Sequence, residues 1–392
     1  MDEALARWLT GPEGHEALAA AAAQPDPGSL AAAQALRRSF TAEQAAAASR
    51  QEVLRRRAVT KFGERAGSLF FTADGLEQAT RAPVATWRAD RFIALGATRV
   101  VDLGCGLGAD ALALTDAGLA VVAVEADPVT AVFAAANLRG RGEVVTGDAV
   151  EWARRLLQPG DAVFLDPARR TSRGRTWRVA DVSPPWEFAT GLLRDRPGCL
   201  KAGPGISSAD LPSQVARVWV SEHGDLVEAS LWSGVGDWPA GSRRAVLLPA
   251  GEELVTTGGD VPGPPGRTVA APGAYLYEPD PAVIRAGGVD QVAALVSGWR
   301  LAPHLAYLAS DALVVTPFAT AFAVAQVLPY DERALRAWVR QAGVGTLEIK
   351  VRGIDIDPAA LRRRLKPTGR NAATLILTPT PHGARALVAR RV

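Results

Sequence analysis

Between Arg99 and Leu165 the chain runs through one pattern four times: a continuous apolar run, an acidic or glycine-containing turn, then a helical stretch. The runs are Val100-Val101-Asp102-Leu103, Val121-Val122-Ala123-Val124, Val144-Val145 and Ala162-Val163-Phe164-Leu165. None alternates apolar with polar residues, so neither face of such a strand can be left in water. Helices lying between successive parallel strands are what covers both faces. The pattern predicts an α/β fold built on a doubly wound parallel sheet. Runs around Cys199-Leu200-Lys201, Leu226 to Leu231 and Ala245 to Leu248 supply a fifth, sixth and seventh strand, the last two close enough in sequence to pair antiparallel at one edge.

At 392 residues the chain is longer than one compact domain usually runs. Residues 1–90 read as a helical region, with Thr41 and Gln44 spaced as a capping box ahead of an alanine-rich run. Residues 91–312 read as the sheet domain with a mostly helical connection after a Gly/Pro-rich stretch at 257–273. Residues 313–392 read as a small α+β module, with strand-like runs at Ala312 to Pro317, Leu347 to Val351 and Ala373 to Thr378 and helices near Glu332 to Gln341 and Pro358 to Leu365. Apolar residues make up 48% and charged residues 22%, ordinary values that exclude wholesale disorder and fibrous repeats. Two cysteines, Cys105 and Cys199, cannot form a disulfide framework and suit a reducing compartment. With no apolar run of membrane-spanning length and an acidic start at Met1-Asp2-Glu3, a soluble, cytoplasmic protein that contacts no membrane is expected. His15, His223, His304 and His382 lie far apart without ligand spacing, so no metal site is expected.

The densest chemistry lies at the ends of the four strands. Asp102-Leu103-Gly104-Cys105-Gly106-Leu107-Gly108 follows the first strand and opens a helix, and glycines there let the backbone approach a ligand that side chains would exclude. The spacing is G-x-G-x-G, not the G-x-G-x-x-G of dinucleotide sites. Glu125 closes the second strand, where a carboxylate can accept from both hydroxyls of a ribose. Asp148 closes the third, where it or the following N–H of Ala149 can read an adenine edge, and Asp166-Pro167 closes the fourth, beside the ligand's reactive end. Together these ends line the crevice at the switch point of a doubly wound sheet.

This set resembles the class I S-adenosylmethionine-dependent methyltransferases. The resemblance implies a Rossmann-like seven-stranded sheet with Gly104, Gly106 and Gly108 cradling the methionine part, Glu125 on the ribose, Asp148 with Ala149 on the adenine and Asp102 anchoring the turn. Cys105 fits the family's turn and is not expected to act as a nucleophile. Asp166, with Pro167 stiffening its turn, is the expected catalytic carboxylate. In amino-methyltransferases the corresponding tetrapeptide has two prolines and an aromatic residue, whereas here it reads Asp166-Pro167-Ala168-Arg169. Ser183-Pro184-Pro185-Trp186 looks superficially more like it but follows the fourth strand by too long an interval, so Asp166 is preferred and Ser183 to Trp186 are left as a wall of the pocket. Arg169, Arg170, Arg173, Arg175 and Arg178 crowd the loop after Asp166, either as a solvated surface or as phosphate contacts, and Trp177 either stacks on a base or packs.

Flanking segments extend the likeness. Phe70-Phe71-Thr72, Gly75-Leu76-Glu77-Gln78-Ala79-Thr80, Glu348-Ile349-Lys350-Val351-Arg352-Gly353 and Gly369-Arg370-Asn371 look like the bacterial methyltransferases that end in a THUMP-like domain, distantly similar to trimethylguanosine synthases. Such domains deliver RNA to an attached modifying enzyme. From Pro329 to Val392 the chain carries 13 Lys/Arg against 5 Asp/Glu, a net +8, while the whole chain is only +3. Arg362, Arg363, Arg364, Lys366 and Arg370 form its densest stretch, with Arg362, Arg363 and Lys366 the expected RNA contacts. The expected activity is methylation of a base nitrogen in a structured RNA, a tRNA or rRNA. Methylation of a small molecule or a protein, a non-catalytic RNA-binding role and a nicotinamide-dependent dehydrogenase are the alternatives. The N-terminal helices are expected to serve as support, RNA contact or a lid.

Overall fold

The computed structural model describes residues 1–169, 179–207, 210–256 and 269–392. Their contacts divide the chain into two compact units, Met1–Val218 with Glu228–Gly241, and Trp219–Val227 with Ser242–Val392.

The first unit begins with six helices, α1 (Glu3–Thr10), α2 (Pro12–Ala22), α3 (Leu30–Leu36), α4 (Ala42–Phe62), α5 (Ala73–Gln78) and α6 (Ala82–Ala94). The capping box forms as expected: Thr41 Oγ1 accepts from Gln44 N and Gln44 Oε1 accepts from Thr41 N. This satisfies donors that a helix start leaves orphaned. The alanines of α4 serve packing, since Ala45, Ala48 and Ala58 are buried along one face with Leu54 and Phe62. Strands then alternate with helices: β1 (Arg99–Leu103), α7 (Ala109–Asp116), β2 (Ala120–Glu125), α8 (Pro128–Leu138), β3 (Glu143–Thr146), α9 (Ala149–Leu156) and β4 (Ala162–Leu165). A two-residue ladder joins β5 (Ala168–Arg169) to β6 (Val182–Ser183), and α10 (Trp186–Asp195) leads into β7 (Gly198–Ala202), β8 (Ala216–Glu222) and β9 (Asp225–Ser233). Within the sheet these strands run β3-β2-β1-β4-β7-β9-β8. The ladder is parallel from β3 to β7, and β9 pairs antiparallel with β7. The chain therefore reverses its direction of winding between β1 and β4, which opens a crevice beyond their C-terminal ends. Phe92, Phe164 and Trp232 interlock beneath it, with Trp232 edge-on to Trp87 and Trp238. Each of the three is at most 1% exposed, and burial of one such ring contributes about 1.5–3 kcal/mol.

Two sequence expectations need correction here. The sixth strand is Ala216–Glu222, unnoticed in the sequence, and Leu226 to Leu231 lies in the seventh. The run at Ala245 to Leu248 therefore does not pair with Leu226 to Leu231. A tight turn, with His223 and Gly224 at φ 52° and 84°, makes β8 and β9 neighbours and fills the place that was expected to go to a later strand.

In the second unit, β10 (Arg243–Leu248) and β11 (Glu252–Thr256) pair antiparallel. The remainder is a seven-stranded sheet in the order β13-β14-β12-β15-β18-β17-β16, from β12 (Tyr275–Pro279), β13 (Trp299–Arg300), β14 (Leu308–Ser310), β15 (Ala319–Pro329), β16 (Val344–Val351), β17 (Asn371–Thr380) and β18 (Gly383–Arg391). Helices α11 (Pro281–Ala286) and α12 (Val289–Leu295) follow β12. The α13 (Glu332–Gln341) and α14 (Pro358–Leu365) helices fall where the sequence pattern put them. Their Leu335, Val339, Leu361 and Leu365 close over Ile349, Leu375 and Leu377 of the sheet. The connection expected to be mostly helical instead contributes β12, β13 and β14, and Ala312 to Pro317 is a loop, not a strand. Its Leu313 and Val315 are exposed, so no sheet face covers them, while the strand begins at Ala319. No helix among the described residues is long and apolar enough to cross a membrane.

Candidate active site

The glycine turn begins on backbone hydrogen bonds. Gly104 N and Cys105 N both donate to Val124 O, at 2.9 and 3.0 Å, which closes the end of β1 onto β2. Gly104, Gly106 and Gly108 sit at φ 100°, 55° and 78°, the left-handed region that L side chains rarely adopt. Gly104 is constrained twice, because a Cβ there would stand 3.1 Å from Asp166 O. A Cβ on Gly106 would meet nothing within 4 Å, so it would project into open space. Residues 70–80 press on this turn from the N-terminal region: Asn137 accepts from Phe70 N at 2.8 Å and donates to Leu107 O at 2.9 Å, and Gly75 leaves no room for a Cβ beside Leu107.

The four strand ends place their carboxylates differently. Glu125 bridges two turns, with Oε2 accepting from Gly106 N and Oε1 from Asp127 N, both at 2.9 Å. Asp148 caps α9, its Oδ1 accepting from Val150 N and Glu151 N, which leaves Oδ2 outside the cap. Ala149 occupies the first helical position, where an N–H has no intrahelical acceptor. Asp102 is 0% exposed, and neither of its oxygens has a hydrogen-bond partner among the described residues. Burial, with the negative charges of Asp110, Asp166 and Glu125, pushes its carboxyl well above the usual range, against the pull of Arg88. Cys105 is half-buried, and desolvation together with Asp102 and Glu125 pushes its thiol well up, so it stays protonated at neutral pH.

Among the described residues, Asp166 is the one of the four held by a cation. Lys201 Nζ donates to its Oδ2 at 2.7 Å and to Thr80 Oγ1 at 2.9 Å. Thr80 Oγ1 donates in turn to Asp110 Oδ2 at 2.6 Å. Arg88 closes the chain, with Nε 2.8 Å from Asp110 Oδ1 and Nη2 2.8 Å from Glu228 Oε2. Its guanidinium also lies 4.8 Å over the Phe164 ring. Burial opposes the charge on Lys201, but Asp166, Asp110 and Glu228 outweigh it and hold the ammonium above its usual range. Burial is likewise overcome at Arg88, which Glu228 and Asp110 keep charged, and at Asp110, which Arg88 and Lys201 keep ionised. Asp166 remains about one-third exposed, and its Oδ1 takes part in no hydrogen bond among the described residues. The arrangement leaves Asp166 Oδ1 as an oriented acceptor atom at the end of β4.

Sequence reasoning missed Lys201, Thr80, Arg88, Asp110 and Glu228. One signal was available: only four of the 44 basic residues are lysine, and Lys201 is the one that closes an apolar strand next in order after Asp166. The two rival tetrapeptides prove to be neighbours, since Ala168 pairs with Ser183 across the β5–β6 ladder. Pro167 is buried behind Asp166. Arg169 ends β5, whereas Arg170, Arg173, Arg175, Trp177 and Arg178 lie outside the described residues. In the second unit Arg362 commits Nε to Leu347 O at 2.7 Å and Arg364 pairs with Glu332, while Arg363 and Lys366 are exposed.

Residues 319–391 match the family described as THUMP domain-like, and residues 2–58 match a domain of unknown function. An S-adenosylmethionine-dependent methyltransferase of Mycobacterium tuberculosis strain H37Rv, described as uncharacterised, is 36% identical over 343 residues, covering 83% of this chain and 90% of the relative. Its counterpart in strain CDC 1551 / Oshkosh matches to the same extent. A crystal structure described as that of a methyltransferase from Porphyromonas gingivalis W83 has a TM-score of 0.76 and 24% identity, covering 96% of this chain and 98% of that one, which shows a shared fold.

Proposed function

Because the chain belongs to the S-adenosylmethionine-dependent methyltransferases, we propose that it methylates a base nitrogen of a structured RNA, a tRNA or rRNA, bound through its basic THUMP-like segment. The observation that carries the RNA reading is the THUMP domain-like match over residues 319–391, in a stretch with net charge +8 from 13 Lys/Arg and 5 Asp/Glu between Pro329 and Val392. Among the described residues, Arg363 on α14 and Lys366 at its C-cap are exposed and make no ion pair, and Arg362 contributes its outer guanidinium nitrogens.

The crevice fits the cofactor on its own terms. Asp102 offers two buried, unsatisfied acceptors suited to an α-ammonium, and the bare Cα of Gly106 leaves open the space that a side chain would fill. In this reading Gly104, Cys105, Gly106 and Gly108 shape the methionine end, Glu125 takes the ribose, and Asp148 Oδ2 with Ala149 N reads the adenine. When bound, S-adenosylmethionine supplies a methyl group on a sulfonium, so in-line displacement needs mainly alignment of the acceptor. Asp166 Oδ1 accepts the hydrogen bond of the acceptor's N–H and aims its lone pair, and Lys201 holds that carboxylate in one rotamer. The Ala168–Ser183 ladder walls the acceptor's side of the crevice.

The test is transfer of labelled methyl from S-adenosylmethionine to total RNA from a strain lacking the gene, followed by nucleoside mass spectrometry. Label in one nucleoside supports the reading and names the acceptor. Asp166→Ala should lower turnover at least about a hundredfold while S-adenosylhomocysteine still binds. No label in RNA, with cofactor binding intact, would transfer the activity to a small-molecule or protein substrate.

A further inference from the structure

The second unit contains a pocket of about 500 Å³, inside the roughly 300–1,000 Å³ range of small-ligand clefts. Lys350 reaches it from β16, Arg352 from the position just after that strand, and Arg391 from β18. Lys350 and Arg352 lie two positions apart and both line the pocket, while Val351 between them packs against the core. This gives the Glu348-to-Gly353 motif a role that the methyl-transfer site does not use.

The side chains around the pocket carry three cations, Lys350, Arg352 and Arg391, against two carboxylates, Glu278 and Asp280. Lys350 Nζ lies 2.6 Å from Glu278 Oε2, so those two neutralise each other. Asp280 is engaged in capping α11, its Oδ1 accepting from Ala282 N at 2.8 Å, and burial raises its carboxyl above the usual range. Arg352 rests 5.3 Å over the Tyr307 ring and Arg391 is exposed, and neither is paired with a carboxylate among the described residues. Two guanidiniums that make no ion pair among the described residues favour an anion, and their planar donor forks suit phosphate geometry. The same pocket is lined by Leu313 and Val315, which are 44% and 91% exposed. A ligand that satisfies both features carries a phosphate and a flat apolar face.

We propose that this pocket takes one nucleotide of a single-stranded segment of RNA, with its phosphate on Arg352 and Arg391 and its base against Leu313 and Val315. The inference rests on the RNA reading above and places the strand contact on the β16–β18 face, separate from the cations of α14.

The experiment measures binding of a short fluorescein-labelled single-stranded oligoribonucleotide to the full chain by anisotropy, over a series of salt concentrations. Arg352→Gln and Arg391→Gln should each weaken binding about tenfold and each flatten the log–log salt slope by about 0.7. Val315→Asp should weaken binding without disturbing the core, since the side chain is 91% exposed. It and Arg391→Gln keep the test decisive should Arg352→Gln melt early for want of its contact with Tyr307. Arg336→Gln removes an exposed cation of the same unit that does not line the pocket. An equal loss in Arg336→Gln would reduce the effect to general charge and overturn the assignment. RNA bound normally by all the pocket variants would overturn this inference alone, whereas no RNA binding by the wild-type chain would overturn the RNA reading with it.

Discussion

Asp102 and Asp110 flank the glycine turn and are both buried, at 0% and 6% exposure, yet the fold treats them in opposite ways. Asp110 belongs to the layer beneath the crevice, where Arg88 and Thr80 fill its oxygens and Arg88 and Lys201 overcome the cost of burial to keep it ionised. Asp102 belongs to the crevice floor, where nothing among the described residues satisfies it and its carboxyl is pushed well above the usual range. The paired layer is completed by folding. The floor is left unpaired. A buried group without a partner costs stability, and under the proposed function Asp102 at the end of β1 carries that cost for the cofactor's α-ammonium.

Removing Arg88 from the lower layer should leave Asp110 with Thr80 as its remaining side-chain hydrogen-bond donor among the described residues. Arg88→Met leaves Asp110 and Glu228 buried without their shared partner, and truncating one member of such a group costs about 3–5 kcal/mol. Urea unfolding of the full chain checks this, and wild-type stability in the variant would mean that the pairs contribute little. The next effect in size concerns turnover. Lys201→Met takes the cation from Asp166 Oδ2 and frees that carboxylate to rotate, so kcat should fall about a hundredfold while S-adenosylhomocysteine binds as before. Lys201→Arg should recover only part of the rate, because a compact ammonium reaching Asp166 and Thr80 together is not matched by a planar guanidinium. A loss of cofactor affinity in place of turnover would show that Lys201 supports the crevice floor instead.

The same contrast explains what was legible in the sequence. The strand ends at Asp102, Glu125, Asp148 and Asp166 could be read because each follows a continuous apolar run, a local signal. The glycine turn carried a local signal as well, with Gly104, Gly106 and Gly108 all at positive φ. The lower layer could not be read in that way. Thr80, Arg88, Asp110, Lys201 and Glu228 come from separate elements, and Arg88 reaches across 140 positions to Glu228. Only the packing of α6 against α7 and the sheet brings them together. The N-terminal segment Gly75 to Thr80 was noticed as part of a family likeness, and its physical reason is contact: Gly75 fits against Leu107, and Lys61 ties down the carbonyls of Leu76, Glu77 and Ala79 at 2.7, 2.7 and 3.1 Å. The missed strand Ala216–Glu222 had its own cause. Polar Arg217, Ser221 and Glu222 interrupt its apolar run, and its pairing depends on the turn at His223 and Gly224.

The smallest expected change has the opposite sign and separates the two regions most sharply. Asp102→Asn keeps the shape of the side chain and removes the charge that burial and the neighbouring carboxylates oppose. Since the folded-state value of Asp102 is raised, its favourable contribution is complete below the unfolded value of about 3.9 and is lost as pH rises through the raised value. For Asp110 the value is lowered, so its contribution is present above about 3.9 and disappears only as pH falls through the lowered value. The Asn variant should therefore match the wild-type chain in acid and exceed it at neutral and alkaline pH, by about 1–3 kcal/mol at most. Thermal unfolding without ligand across pH measures that gain. Calorimetry should find S-adenosylhomocysteine binding weakened in the same variant, because an amide presents one acceptor and no charge to an α-ammonium. A variant that gained stability and kept full affinity would place the cofactor's ammonium elsewhere, and one that lost stability would mean that the Asp102 oxygens are satisfied within the fold.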